Sequence, residues 1–400
     1  MSFIAIEEPL GRGKLKPESS GHPLFRLGFR PFYLLAAAFA AISIPLWLAR
    51  YFGWASALEH VDLNWHMHEM VFGFALAVII GFLFTAGRNW TGLWTPRGSH
   101  LAALAAVWLA GRAAMLFAPP VAAAIVDVLF LPLAAWPLYR VLRRSGNKRN
   151  MFLVGLLALL TAANAAFHLA RLGWIPISTV APIHAAILVI VMIESVIGGR
   201  VIPGFTANAI AGLNPVIDPR RDKITIVLTA LASLAWMVQV LPPFTASLAF
   251  AAACSQALRI AGWKSPYTLK NPLLWILHVS YAWIPLGFVL LAAAALNLVA
   301  ASAAFHVLTV GSMAGLIIGM ITRTALGHTG RPLKAGRWEL AMYLLIQLGV
   351  VTRFLAAIDV MDLRTHMLAC SAVSWSAAFL LYLAIYGRYL SSPRVDGREG

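Results

Sequence analysis

The sequence predicts an all-α polytopic membrane protein of about twelve transmembrane helices, with both termini in the cytoplasm. Three observations predict this fold class. The composition is 60% hydrophobic and only 12% charged, apolar runs recur along the chain, and basic residues are unevenly distributed over the loops. A soluble domain carries roughly 25% charged residues. A chain of 400 residues with so few lacks the polar surface that folding in water requires.

Twelve apolar runs are long enough to cross a bilayer, which takes about 20 residues in a helix. They are 31–50, 67–87, 100–118, 121–141, 151–170, 180–198, 224–241, 244–262, 272–295, 300–322, 338–358 and 366–387. The proline pairs Pro119-Pro120 and Pro242-Pro243 separate neighbouring runs, because proline ends one helix and starts the next. We expect cytoplasmic tails at 1–28 and 391–400 and one transmembrane domain at 29–390, embedded in the lipid bilayer.

The loop charges test this topology. With twelve spans, 26 of the 31 Lys and Arg residues lie on the side of the N-terminus, as the positive-inside rule requires of the cytoplasmic side. The five on the opposite side are Arg50, Arg112, Arg171, Arg353 and Arg364. The net charge of +16 is therefore spread over short loops and forms no basic domain. This distribution argues against nucleic acid as a partner.

Histidines concentrate in the predicted outer third of the helices, where six of the eleven lie. An imidazole in the membrane needs a partner, and imidazole is the commonest protein ligand for metals. We predict metal or haem ligation for four of the six: His66, His68, His184 and His306. For the other two, His168 and His366 at helix ends, an interfacial position is favoured.

The pair His66 and His68 is constrained by helix geometry. Residues two apart on a helix point to nearly opposite sides, so both reach one centre only if His66 precedes the regular helix. Glu69 follows directly, and two roles are open for it as a candidate catalytic residue. It orients a histidine ligand, or it is an ordinary first-turn acid that suits the helix dipole.

Three further residues are candidates on the inner side. Glu194, in the inner part of the sixth helix, is a candidate catalytic proton relay, because an acid in the membrane is costly without a purpose. An ion pair with Arg200 or Arg323 is the alternative reading. His278 and His328 are candidate cofactor ligands of a second, inner site.

The segments 68–92 and 306–330 form an internal repeat. They align without a gap and match at His68 and His306, at Ile79-Ile80-Gly81 and Ile317-Ile318-Gly319, and at Thr-Gly. Small residues five, nine and thirteen positions after each histidine indicate a helix-packing seam; they are Gly73, Ala77 and Gly81, and Gly311, Gly315 and Gly319. His184 lies between the two segments, which suggests a threefold repeat of four-helix units.

Four strings together resemble the NnrS family over about residues 22–390: HPLFRLGFRP at 22–31, WHMHEMVFGF at 65–74, GFLFTAGRNWTG at 81–92 and GHTGRPL at 327–333. The resemblance implies a bacterial inner-membrane protein with haem b and copper, tied to nitric oxide and nitrosative stress. Carried over residue by residue, it falls on His66, His68, Glu69, His328 and Arg331.

The topology also resembles the large subunit of haem–copper oxidases and nitric oxide reductases, although an adjacent His-His pair after the sixth helix is missing. On this reading His68 and His306 bind haem, and His66 and His184 bind copper with help from Met67 or Met70. Electrons then come from quinol or a redox partner. A secondary transporter such as a metal exporter, and a haem-binding sensor without turnover, are the alternatives.

Overall fold

The computed structural model describes residues 21–359 and 362–398, which contain twelve long helices and no strand. The helices are α1 Phe29–Tyr51, α2 Leu63–Thr91, α3 Gly98–Phe117, α4 Pro120–Arg144, α5 Phe152–Arg171, α6 Val180–Ala209, α7 Pro219–Met237, α8 Pro242–Ala261, α9 Pro272–Ala295, α10 Ala301–His328, α11 Arg337–Ile358 and α12 Arg364–Ser391. The all-α prediction is confirmed. Residues 1–20 of the predicted N-terminal tail lie outside the described part.

Eleven of the twelve helices are long and apolar enough to cross a membrane. The remaining one, α7, begins at Pro219 and not at 224 as predicted. Asp218 explains the earlier start, since its carboxylate accepts hydrogen bonds from the backbone N–H groups of Arg220 and Arg221 and so caps a turn of charged residues that hydropathy does not detect.

Two helices contain a stretch of wide π-helical turns at equivalent positions. In α2 it covers Glu69–Ala75, directly after His68, and in α10 it covers Val307–Ala314, directly after His306. The two stretches begin at corresponding residues of the 68–92 and 306–330 alignment, which supports that repeat. By contrast, α6 is a regular α-helix throughout. It does not share this feature.

The described helices fall into two compact units. Unit 1 contains α1 to α5, the part of α10 from Ile321 and the part of α12 from Phe379. Unit 2 contains α6 from His184, α7 to α9, the first part of α10, α11 and the first part of α12.

The small residues of α10 form a packing seam against α9, as predicted. A Cβ on Gly311 would lie 2.6 Å from Cγ of Trp283, and one on Gly319 would lie 2.8 Å from a methyl group of Leu277. Such distances are too short for real contacts, so only glycine permits this approach of the two helices.

A buried arginine ties four helices of unit 2 together. The Arg259 guanidinium donates to the Ser195 carbonyl at 2.7 Å, to the Tyr281 hydroxyl at 2.9 Å and to the Asp222 carboxylate at 2.8 Å. It fills the space in front of Gly199, where any Cβ would overlap it.

We expect Gly199→Ala to destabilise the protein by about 1–3 kcal/mol, because an overpacked buried site forces its neighbours to shift. Gly204→Ala on the same helix is the matched control, since no heavy atom lies within 4 Å of the Cβ position there. Thermal unfolding of the purified variants in detergent measures the difference. Equal melting temperatures would contradict the assigned packing.

Candidate metal centre

Two histidines and an aspartate from three helices of unit 1 meet in a buried cluster. Asp127 Oδ2 on α4 lies 3.1 Å from His68 Nε2 on α2 and 3.0 Å from His168 Nε2 on α5. One potential metal-ligating atom from each of the three residues lies within 4.8 Å of those of the other two. All three side chains are buried.

Arg112 on α3 holds two carboxylates next to these histidines. Its guanidinium donates to Glu69 Oε2 at 2.6 Å and, through its other terminal nitrogen, to Asp127 Oδ1. Glu69 Oε1 in turn lies 3.0 Å from His68 Nδ1. A carboxylate at this nitrogen fixes the orientation of the imidazole ring, which is the orienting role that the sequence suggested for Glu69.

Both ring nitrogens of His68 face oxygen atoms that accept hydrogen bonds. Nδ1 faces Glu69, and Nε2 faces Asp127 as well as Asn164 Oδ1 at 2.9 Å. The amide orientation of Asn164 is consistent, since its Nδ2 donates to Asp127 Oδ2 at 2.8 Å. A neutral imidazole carries one N–H only. The arrangement therefore requires an additional proton, on His68 or on Glu69, or a cation bound among these atoms.

The charge balance leads to the same conclusion. The cluster contains two carboxylates, Glu69 and Asp127, and one guanidinium, Arg112. With neutral histidines the net charge is negative, and an uncompensated buried charge is costly. One further positive charge, carried by a proton or a metal ion, balances the cluster.

Gly73, in the π-helical stretch of α2, leaves room for the Arg112 side chain. The carbonyl of Gly73, inside that stretch, accepts a hydrogen bond from Trp108 Nε1 at 3.0 Å. A Cβ on Gly73 would lie 2.7 Å from Arg112 Nη1 and 2.9 Å from Glu69 Oε2. Gly73, predicted as part of a packing seam, thus admits the guanidinium that pairs with both acids.

The structure does not bring His66 into this cluster. The helix begins at Leu63, with Asp62 as its N-cap, so the condition under which both imidazoles reach one centre is not met. The His66 ring instead stacks on Trp47, with centroids 5.2 Å apart and an interplanar angle of 10°. A metal role for His66 stays a prediction.

Of the two histidines expected at the interface, His168 is buried within unit 1 and His366 is exposed. His168 is buried because Asp127 provides a polar partner in the interior of unit 1. The sequence analysis also missed Arg112, Asp127 and Asn164. Arg112 counts as an outer-side charge of the predicted span 100–118, whereas in the structure it is a buried residue of α3.

The other predicted histidines lie in separate surroundings. In unit 2, the His184 ring stacks face to face on Phe305 at 3.6 Å, and His306 Nδ1 lies 2.7 Å from the Ser302 carbonyl. His278, also in unit 2, bonds the hydroxyls of Thr206 and Ser265, each at 2.8 Å, and in unit 1 His328 packs against Phe29. Their cofactor roles stay predictions.

Glu194 in unit 2 bonds a hydroxyl and not an arginine. Its Oε2 accepts a hydrogen bond from Ser312 Oγ at 2.8 Å, and Ser312 lies in the π-helical stretch of α10. The alternative of an ion pair with Arg200 or Arg323 is therefore not what the structure shows.

A search of curated proteins gave no significant match. Comparison with protein families gave a match to the family described as NnrS protein, over residues 23–394. This match spans nearly the whole chain and includes the four strings on which the resemblance rests, except His22 of the first. The chain belongs to the NnrS family.

Proposed function

We propose that this protein is a haem- and copper-containing membrane protein that handles nitric oxide, with its copper held by His68, Asp127 and His168. The observation that carries the proposal is that both ring nitrogens of His68 face acceptors inside a cluster of negative net charge. A metal ion satisfies the requirement for a cation, and imidazole nitrogen is a ligand type that suits copper.

The donor set fits a small ion. Two ligand atoms that are each about 2.1 Å from one metal lie about 3.0 Å apart at a right angle, and the two imidazole nitrogens lie 3.1 and 3.0 Å from Asp127 Oδ2. Glu69 orients His68, and Arg112 holds both carboxylates in place. Bound copper would supply one-electron redox chemistry at this position.

The same cluster does not fit haem. His68 Nε2 lies 2.9 Å from Asn164 Oδ1 and 3.1 Å from Asp127 Oδ2, which leaves no space for a porphyrin over that nitrogen. We therefore propose His68 as a copper ligand rather than as a haem ligand paired with His306. We propose His306 as a haem ligand, since the Ser302 carbonyl accepts a hydrogen bond from Nδ1 and orients the ring as in metal-ligating histidines.

Glu194 is proposed as a proton relay on the inner side of unit 2. An acid within a membrane helix usually marks a proton or ion path, and its hydroxyl partner Ser312 is able both to donate and to accept a proton. Electrons would come from quinol or a redox protein in the bacterial inner membrane.

A proton-coupled transporter is the second candidate, because a second proton on His68 balances the cluster as well as a metal does. One feature counts against it. Transporters often break helices near the middle of the membrane, whereas α1 runs on through Pro45 and α9 through Pro285.

The test uses the full chain purified in detergent. We expect copper bound to the protein by elemental analysis, a Soret band after reduction with dithionite, and loss of nitric oxide from solution when a reductant is present. Protein without copper or haem would contradict the proposal and favour the transporter. Cofactors without nitric oxide consumption would contradict turnover and favour a sensor.

A further inference from the structure

Arginines from three of the four family strings lie together at one end of unit 1, which the positive-inside rule places on the cytoplasmic side. We call this set the arginine cluster; it consists of Arg26, Arg30, Arg88, Arg331 and Arg394. Arg30 lies within electrostatic range of Arg26, Arg331 and Arg394, and His328 lies within range of Arg30, Arg88 and Arg394.

Backbone contacts hold this end of unit 1 together. Arg30 Nη1 donates to the carbonyls of Leu390 and Ser392, at 2.8 and 2.7 Å. The Val395 N–H donates to the Thr329 carbonyl at 3.1 Å. These contacts fix the end of α12 against the start of α1 and against the segment after α10. The packing of unit 1 therefore holds the residues of the arginine cluster in place.

Among the described residues, Asp396 is the acid of unit 1 that lies at this end. Asp396 forms a bidentate pair with Arg394 at 2.9 and 2.7 Å. Two other guanidiniums lie over aromatic rings, Arg331 at 3.8 Å from the Tyr389 centroid and Arg88 at 3.5 Å from the Trp94 centroid. The remaining described acids of unit 1 belong to the outer loop or to the metal centre; they are Glu59, Asp62, Glu69 and Asp127.

Two guanidinium nitrogens of the cluster are buried without an acceptor among the described residues. They are Nε of Arg26 and Nη1 of Arg331. A buried donor that makes no hydrogen bond is costly, the more so on a charged group. Both side chains are partly exposed as wholes, so a ligand can reach them from the surface.

Topology alone does not explain this burial. Arginines that only set orientation remain exposed, as Arg140, Arg143 and Arg144 do at the end of α4. Arg30, in contrast, is 0% exposed. Guanidinium groups with open donors are the preferred protein partners of phosphate-type oxyanions, which they bind in a fork geometry.

We propose that the arginine cluster binds a phosphate-class oxyanion at the cytoplasmic end of unit 1, contacted by Arg26 and Arg331. The phosphate belongs either to an anionic lipid headgroup or to a free small molecule. The site is separate from the metal centre, because the two involve different residues at opposite ends of α2.

The experiment measures the thermal stability of the full chain. One arm titrates inorganic phosphate in non-ionic detergent, with sodium chloride at matched ionic strength as the reference. The other compares nanodiscs of phosphatidylglycerol with nanodiscs of phosphatidylcholine. Stabilisation in the first arm points to a free anion, and stabilisation in the second alone points to a lipid. No stabilisation in either arm would overturn the proposal.

Variants identify the residues. We expect Arg331→Gln and Arg26→Gln to weaken the phosphate or lipid effect at least tenfold in concentration, since each removes a charge-assisted hydrogen bond to the anion. Arg140→Gln removes an exposed arginine and should leave the effect unchanged. If Arg331→Gln does not fold, Arg331→Lys retains the charge and loses the fork, and it should still weaken binding. An effect that all variants retain would overturn the proposal.

The N-terminal tail provides a further control. Glu7, Glu8 and Glu18 lie outside the described residues. A variant with all three changed to glutamine should bind phosphate as tightly as the wild type or more tightly. Loss of phosphate binding in this variant would overturn the assignment, and the copper content should not change in any of these variants.

Discussion

Asp127→Asn is expected to lower the metal affinity of the centre by more than about 100-fold. The loss of a residue that only orients a metal ligand costs about 10–100-fold, and Asp127 is proposed to bind the ion itself. Its Oδ2 is the one atom that lies within hydrogen-bond distance of His68, His168 and Asn164. An amide supplies no negative charge and presents N–H groups where the imidazole nitrogens require an acceptor or an ion.

The readout is the copper content per protein after loading and desalting. His168→Gln should reduce it in the same way. His100→Gln is the control, because His100 is an exposed histidine of the same unit for which no metal role is predicted. Full copper content in the Asp127→Asn protein would contradict the proposed centre, and so would an equal loss in the control.

The fold was largely predictable because the features that make a segment span a membrane lie in its local sequence. Apolar length and loop charge are properties of local sequence, and the structure has a helix at each predicted span. Errors occur where a polar interaction sets a helix end. Asp218 is an example, because it caps α7 at an earlier residue than the apolar run predicts. The other deviation is α6, which continues past 198 to Ala209, through Arg200 and Pro203, because a helix can extend beyond the apolar core of the membrane.

The metal centre was only half predictable. His68 and Glu69 were found from one motif, whereas Arg112, Asp127 and His168 lie on three other helices and meet only through packing. A stricter use of one rule would have detected Asp127. It is an acid in the interior of the apolar helix Pro120–Arg144, and such a residue is a candidate site by default.

The π-helical stretches had no signal in the sequence. Such segments are often found at functional sites, and here they directly follow His68 and His306 in the two repeated segments. In α2 the stretch brings Gly73 to Arg112, and in α10 it brings Ser312 to Glu194. In each case the stretch lies beside a predicted candidate acid, Glu69 in α2 and Glu194 in α10.

Arg112→Gln is expected to destabilise the metal-free protein by about 3–5 kcal/mol, the usual cost of removing one partner from a buried ion pair. Glu69 and Asp127 both lose their guanidinium partner and remain as buried carboxylates. Arg140→Gln, at an exposed position, is the control and should unfold like the wild type. The measurement is the melting temperature in detergent.

Copper distinguishes this electrostatic role from simple packing. If the ion and Arg112 neutralise the same carboxylates, copper should raise the melting temperature of Arg112→Gln by more than it raises that of the wild type. A second change, Glu69→Gln, should restore part of the lost stability, because it removes one of the two uncompensated charges. Equal copper shifts in both proteins, with no recovery in the double variant, would mean that Arg112 only fills space between α2 and α4.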